Sequence, residues 1–236
     1  SRKEVFENKR NKLNESDINL CLVGTYSSGK STFINTLIGK RILPESINSE
    51  TAKMFRIQSD NNPAVLFTVK KRDKNEGVNV SITWVEEKQC FSFASDAECD
   101  YTQKLVQNEI NSAVVFHLLQ HEQLCQILKC LNNIPNTPTD DCEEYIDGII
   151  EVHFPILLDP NINFTFYDTP GTDSNSNEHL MVLRKALQQQ TNSILVILYE
   201  PTKMEGTGNS ILYKLINSSR ESAETKDKVH IDLSRS

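Results

Sequence analysis

The run Gly24-Thr25-Tyr26-Ser27-Ser28-Gly29-Lys30-Ser31 fits the pattern G-x-x-x-x-G-K-[ST]. Two glycines let a backbone wrap so that successive N–H groups converge on phosphate oxygens. The lysine of such a loop reaches the β- and γ-phosphates, and the hydroxyl that follows it ligates Mg²⁺. Gly24, Tyr26, Ser27, Ser28, Gly29, Lys30, Ser31 and Thr32 are therefore the expected nucleotide-binding run. The surroundings agree with this reading. "INLCLV", ending at Val23, reads as a buried strand, and Phe33, Ile34, Leu37 and Ile38 recur at helical spacing before Gly39. A helix opening at this point adds the positive end of its dipole.

A second piece is "FTFYDTPGT", residues 164–172. Asp168, at the end of an apolar strand, is placed to hold the Mg²⁺ shell, and Gly171 frees a backbone N–H for the γ-phosphate. Joined to the glycine-rich loop, this D-x-x-G spacing favours GTP, although ATP stays open because no base-selecting motif accompanies it. A third piece is Thr51, in the polar segment after Pro44. Its hydroxyl and N–H are expected to reach Mg²⁺ and the γ-phosphate, ordering the loop only in the triphosphate state. Ser49 is a rival in the same loop. The expected metal set is Ser31, Thr51 and Asp168.

The bulk composition narrows the class. The chain has 236 residues, 38% hydrophobic and 24% charged, with a formal net charge of −7. No basic cluster exists for phosphate-backbone neutralisation, so nucleic acid is excluded as a main partner. Residues 1–14 are charged rather than apolar, which does not fit a signal peptide. The longest apolar runs, such as "SILVILY", are strand-length. The chain begins at Ser1 rather than methionine and so reads as a fragment or a processed form. Cys21, Cys90, Cys99, Cys125, Cys130 and Cys142 make no C-x-x-C pair, which points to a reducing, cytoplasmic setting.

Residues 1–14 read as a polar helix with a thin stripe of Val5, Phe6 and Leu13. "AVLFTVKKR" and "VNVSITWVEE" alternate around "DKNEG" as a hairpin. One long helix is expected over 96–133, opened by a capping box at Ser95-x-x-Glu98 and carrying Ile110, Ala113, Val114, Leu118, Leu124, Leu128 and Leu131 on one stripe. His117, His121 and Cys125 follow at i, i+4, i+8, a zinc-like spacing. The apolar residues on that face make it a packing or partner-facing stripe instead. Trp84, Phe91 and Phe93 read as packing residues. "GIIEVHFPILL" and "NFTFYDTPG" read as strands, followed by a helix at 178–190, a strand at 194–199 and a helix near 209–216. Strands alternating with helices imply a layered α/β sheet.

Read together, "GTYSSGKSTFINTLIGKRILPESINSETA" and "DTPGTDSNSNEHL" resemble the GTPase domain of bacterial dynamin-family proteins, and more distantly that of mitofusins. The resemblance rests on the aromatic and serine inside the loop, Asn35-x-Leu37-x-Gly39, Leu43-Pro44, Thr51-Ala52, Pro155 and DTPG, and it covers residues 18 to about 199. It implies an α/β P-loop GTPase domain over 18–236, with a mostly parallel sheet flanked by helices and a hairpin-plus-helix insertion at about 70–148. Residues 1–17 would then belong to an adjoining helical bundle.

The resemblance also implies a mechanism. Thr172 stands where a Ras-like protein carries a water-orienting glutamine. In the dynamin solution a P-loop serine holds a monovalent cation, K⁺ or Na⁺, against the phosphates, and Ser27 matches that serine. Ser27, Lys30, Thr51 and Gly171 become the expected catalytic set. Pairing of two GTPase domains face to face would complete the site. Membrane association or remodelling would use regions beyond this chain, giving a cytoplasmic protein peripheral to a membrane. The guanine motif [NT]-K-x-D is missing: "TKME" (202–205) and "TKDK" (225–228) both fail it. "KVHIDLSRS" reads as the lead-in to a further strand, so the sequence is expected to stop short of the one bearing that motif. The alternative is a nucleotide-gated scaffold with little hydrolysis. His179, after DTPG, reads as a surface histidine.

Overall fold

The computed structural model describes residues 17–45, 53–74, 76–146, 148–159, 162–171, 193–198 and 228–230. Along the chain these form β1 (Asp17–Gly24), α1 (Lys30–Ile38), β2 (Met54–Ser59), β3 (Ala64–Lys71), β4 (Val78–Val85) and β5 (Cys90–Ser95). They continue as α2 (Asp100–Val115), α3 (Gln120–Asn132), β6 (Glu144–Ile146), β7 (Ile149–Phe154), β8 (Asn163–Asp168), β9 (Ser193–Leu198) and β10 (Lys228–His230). The expected N-terminal helix, Ser49, Thr51, Thr172, His179, the helices at 178–190 and 209–216, and "TKME" all lie outside the described residues.

The strands join in the order β10-β9-β1-β8-β2-β7-β3-β4-β5, with β6 beside β3. Two regimes of patterning meet in this sheet. In β1 the consecutive residues Cys21, Leu22 and Val23 are at most 1% exposed, as in a strand covered on both faces. β1 pairs parallel with β8 and β9, and β9 with β10. In β3, β4 and β7 buried and half-buried or exposed positions alternate, so only one face is core. Here β2 runs antiparallel to β8 and parallel to β7, while β3 is antiparallel to β4, β6 and β7, and β4 to β5. The expected mostly parallel sheet is therefore corrected to a mixed one. Short hairpin connections can join only antiparallel neighbours, and β3, β4 and β5 are joined that way. Within residues 70–148, β4 and β5 continue the main sheet, and α2 and α3 cover it.

One face of the sheet packs against α1 and the α2–α3 hairpin. Ile34 and Ile38 of α1 share the core with Leu22 and Phe166, and Val106, Ile110, Leu124, Ile127, Leu128 and Leu131 extend it. Trp84 meets the buried Phe91 edge-on, with ring centroids 5.2 Å apart. Among the described residues no helix is long and apolar enough to cross a membrane.

The single helix expected over 96–133 is two helices. At the end of α2, Leu118 N–H donates to Ala113 O (3.0 Å) and His117 N–H to Val114 O (3.1 Å), with His117 at φ +52°. This is a Schellman stop with histidine where glycine is usual, so no sequence signal marked it. His117, His121 and Cys125 therefore do not line one helix face, and Val114, expected on the packing or partner-facing stripe, is exposed. The expected capping box at Ser95 and Glu98 is also corrected. Ser95 ends β5, and the first turn of α2 is capped from a distance. Thr102 N–H donates to Glu144 Oε2 (2.9 Å) and Tyr101 N–H to Glu144 Oε1 (3.4 Å). A buried carboxylate on the helix N-terminus meets these backbone donors, of which the Thr102 N–H is buried. Replacing Glu144 by alanine orphans them and should cost about 2 kcal/mol, read as a lowered urea midpoint at unchanged m-value.

Candidate functional site

The glycine-rich loop takes its shape from crowding at the end of β1. Gly24 lies level with Leu198 of β9. A Cβ on Gly24 would sit 2.1 Å from Leu198 O and 2.6 Å from Ser28 Oγ, so only glycine fits. The loop then turns through two left-handed residues, Ser27 (φ +58°) and Gly29 (φ +87°). For Ser27 that conformation is strained, and it is tolerated because the surrounding loop enforces it. Ser28 N–H donates to Thr25 O at 3.3 Å.

Lys30 draws the loop around its own ammonium. Its Nζ donates to Gly24 O (3.1 Å) and Thr25 O (2.8 Å), and the residue is 8% exposed. Gly29 caps α1 without a side-chain hydrogen bond, which leaves the helix N-terminus to an external acceptor. Asn35 folds the chain after α1 back onto the helix: Ile42 and Leu43 N–H both donate to its Oδ1 (3.0 and 2.9 Å), and its Nδ2 donates to Leu43 O (2.9 Å). That brings Pro44 to the wall of the cavity.

Asp168 arrives from β8. The strand runs parallel to β1 with Asp168 level with Leu22, and Thr169 Oγ1 donates to Leu22 O at 2.6 Å. Ser31 Oγ donates to Asp168 Oδ2 at 2.7 Å, while Asp168 Oδ1 is buried with no hydrogen-bond partner. Burial pushes the Asp168 carboxyl above the usual carboxylate range, against the Ser31 hydrogen bond and the Lys30 charge that pull it down. Cys21, behind the site, is an inert thiol pushed up to about 12 by burial first and the Asp168 charge second. Thr25 Oγ1 and Ser28 Oγ are likewise buried without partners.

These groups surround a cavity of about 250 Å³. Tyr26, Ser27, Gly29, Lys30, Ser31, Thr32, Asp168 and Gly171 line it, and Gly24 and Ser28 belong to the same loop. All the expected site residues except Thr51, which lies outside the described residues, are thus within one neighbourhood. The opposite wall holds Lys53, Phe55 and Asn132, which sequence reasoning did not single out. No motif marks them, because they reach the site through β2 and the end of α3. A larger hollow of about 580 Å³ lies on the outer face of the sheet, lined by strand residues such as Thr68, Asn79, Ser81 and Glu151. It has neither the glycine-rich loop nor a helix N-terminus among its lining residues, so the smaller cavity is the candidate phosphate site.

The comparisons with known proteins decide the family. The sequence profile of the Dynamin family matches residues 20–225. The chain belongs to the dynamin family. It is 24% identical over 224 residues to Dynamin-like protein A of Bacillus subtilis (strain 168), covering 89% of this chain and 18% of that protein. Among solved structures it is similar to members of an oligomerised bacterial dynamin pair described as sensing and tethering membranes. One gives a TM-score of 0.42 at 14% identity over 98% of this chain and 42% of that one. Another gives 0.32 at 15% identity over 97% and 32%. This dynamin-family chain thus spans less than a fifth of the curated relative and less than half of either solved chain.

A nucleotide-binding domain of this family implies Mg²⁺, and the donor set fits it. A serine hydroxyl and a carboxylate with one orphaned oxygen are hard oxygen ligands of the number a protein gives to phosphate-bound Mg²⁺. The raised carboxyl also fixes a sign. A carboxyl whose folded pKa lies above its unfolded value favours the fold fully at low pH, and this contribution is lost as pH rises through the folded pKa. Asp168→Asn removes that burden. In EDTA the variant should unfold at a higher urea concentration than wild type at neutral pH, the advantage vanishing below about pH 4. Urea titrations at both pH values measure it.

Proposed function

We propose that this dynamin-family domain binds GTP with Mg²⁺ and hydrolyses it, with turnover stimulated when two domains pair across their nucleotide faces. The observation that carries this is the Ser31–Asp168 hydrogen bond beside Lys30, with Asp168 Oδ1 orphaned at the mouth of α1. The N–H groups of the loop and of the first turn of α1 take the phosphate oxygens, and Lys30 exchanges its two carbonyl partners for the β- and γ-phosphates. Ser31, Asp168 and Thr51 would hold Mg²⁺. When bound, Mg²⁺ neutralises charge developing on the phosphate oxygens. Gly171 offers its N–H to the γ-phosphate. Ser27, exposed on the cavity rim in a left-handed conformation, would hold a K⁺ or Na⁺ ion in place of an arginine finger. The rate comes from positioning and fixed electrostatics, which a loose phosphoryl transition state chiefly requires. Self-association and peripheral contact with a membrane, both in keeping with the family, complete the proposal.

A second reading, a nucleotide-gated scaffold, is favoured by Thr172, which stands where a water-orienting glutamine would be. Phosphate release from GTP, followed in K⁺ and in Li⁺ at low and high protein concentration, separates the two. The enzyme reading expects turnover that rises with concentration and collapses in Li⁺; flat, near-zero release with intact GTP binding leaves the scaffold. ATP competing equally with GTP for the site would remove the guanine assignment.

Two substitutions assign roles. Lys30→Ala should weaken nucleotide binding by about 100-fold, the scale of removing one partner of a desolvated charge pair. Ser27→Ala should keep the affinity and lose stimulated turnover by about 10³-fold, the lower range for a missing arginine finger. Unchanged stimulated turnover in Ser27→Ala would refute the cation role.

A further inference from the structure

Lys53 is 4% exposed and lies on the wall of the nucleotide cavity facing Lys30 and Asp168. Its Nζ donates to Pro135 O (2.9 Å), to Ile146 O (3.0 Å) and to Asn136 Oδ1. Its backbone N–H donates to Asn132 Oδ1 at 2.9 Å, and Asn132 is a buried wall residue of the same cavity. Pro135 O accepts a second bond, from Ile146 N–H at 3.0 Å. One lysine thus gathers the end of α3, the connection that follows it and the end of β6 at a single point beside the candidate nucleotide cavity.

Burying an ammonium costs several kcal/mol unless its donors are met, and an apolar side chain of the same length would fill the space without that cost. What the ammonium adds is direction. Oxygen acceptors from separate parts of the chain can meet its three donors only when residues 135, 136 and 146 are correctly placed. β6 also carries Glu144, which caps α2, so the open ends of the α2–α3 hairpin are tied to β6 and to the start of β2.

We infer that Lys53 is a positioning residue of the nucleotide cavity, locking the wall formed by β2 and Asn132 to residues 133–146 so that nucleotide occupancy and the order of that segment are coupled. It acts through the wall and not on the phosphates. The inference rests on the nucleotide-binding reading above.

The test is amide deuterium exchange with and without Mg²⁺ and a non-hydrolysable GTP analogue, on wild type, Lys53→Met and Asn136→Ala. In wild type, nucleotide should slow exchange across 133–146, well away from the glycine-rich loop. Lys53→Met should raise the nucleotide Kd about tenfold and abolish that protection while keeping protection of residues 24–32. Asn136→Ala, which retains the ammonium, should lie between the two, and it decides the matter if Lys53→Met does not fold. A merely structural lysine would change the urea midpoint but leave the nucleotide-dependent difference at 133–146 intact, and that result overturns the inference. So does wild-type nucleotide binding with no protection of 133–146. Failure of wild type to bind nucleotide would instead overturn the reading on which the inference rests, and the inference with it.

Discussion

The hydrogen bond from Ser31 to Asp168 joins positions 137 residues apart, and the site exists only where it forms. It requires that α1 begin directly off β1 and that β8 lie beside β1 in parallel, with Asp168 level with Leu22. The bond from Thr169 to Leu22 O holds the strand ends at that level. A slip of one residue in this register would turn Asp168 to the other face of the sheet and remove the carboxylate from the phosphate end of α1. The apolar, doubly covered character of β1 therefore serves the chemistry as much as the core.

The same neighbourhood stores electrostatic tension. Asp168 is buried with one oxygen unmatched, Ser28 and Thr25 hide unpartnered hydroxyls, and Ser27 is held in a left-handed turn. An unmatched carboxylate oxygen beside a helix N-terminus with no side-chain cap is a cost to the fold, and a cation with phosphate oxygens would relieve both deficits together. Binding would then stabilise the domain beyond the contacts made by the ligand alone, because it removes costs already present. Lys30 shows the alternative arrangement, with its ammonium satisfied internally by the carbonyls of the loop it would open to phosphate.

Farther out, the mixed sheet supports the site. β2 lies antiparallel beside β8 and carries Phe55 opposite Asp168, so the wall facing the glycine-rich loop belongs to the strand that follows the Thr51 segment. The α2–α3 hairpin covers the same face farther along the sheet, and buried polar groups fix it at its open ends: Glu144 on α2, and Asn132 at the end of α3. Its turn is the contrasting end, where Val115, Phe116 and Leu119 are 71%, 72% and 62% exposed.

Local chemistry was legible in the sequence alone. The glycine-rich run, the strand before it, the helix after it and the DTPG turn are short segments whose spacing is set by backbone geometry, so residue order carries them. The β3–β4 hairpin was legible for the same reason, since alternation and a turn lie within one short stretch. Long-range relations were decided by the tertiary structure. Which way β2 runs, which carboxylate caps α2, and that Lys53 and Asn132 wall the cavity all depend on contacts between distant segments that no local pattern encodes. The break between α2 and α3 lies between these cases. It is local, but His117 adopts the conformation expected of glycine, stabilised by Schellman bonds and by packing of both helices on one sheet. Sequence thus determined the residues of a phosphate-type cradle, because such a cradle is built from neighbouring residues. The fold decided what surrounds the cradle, because the opposite wall is built from residues that meet only when the sheet is assembled.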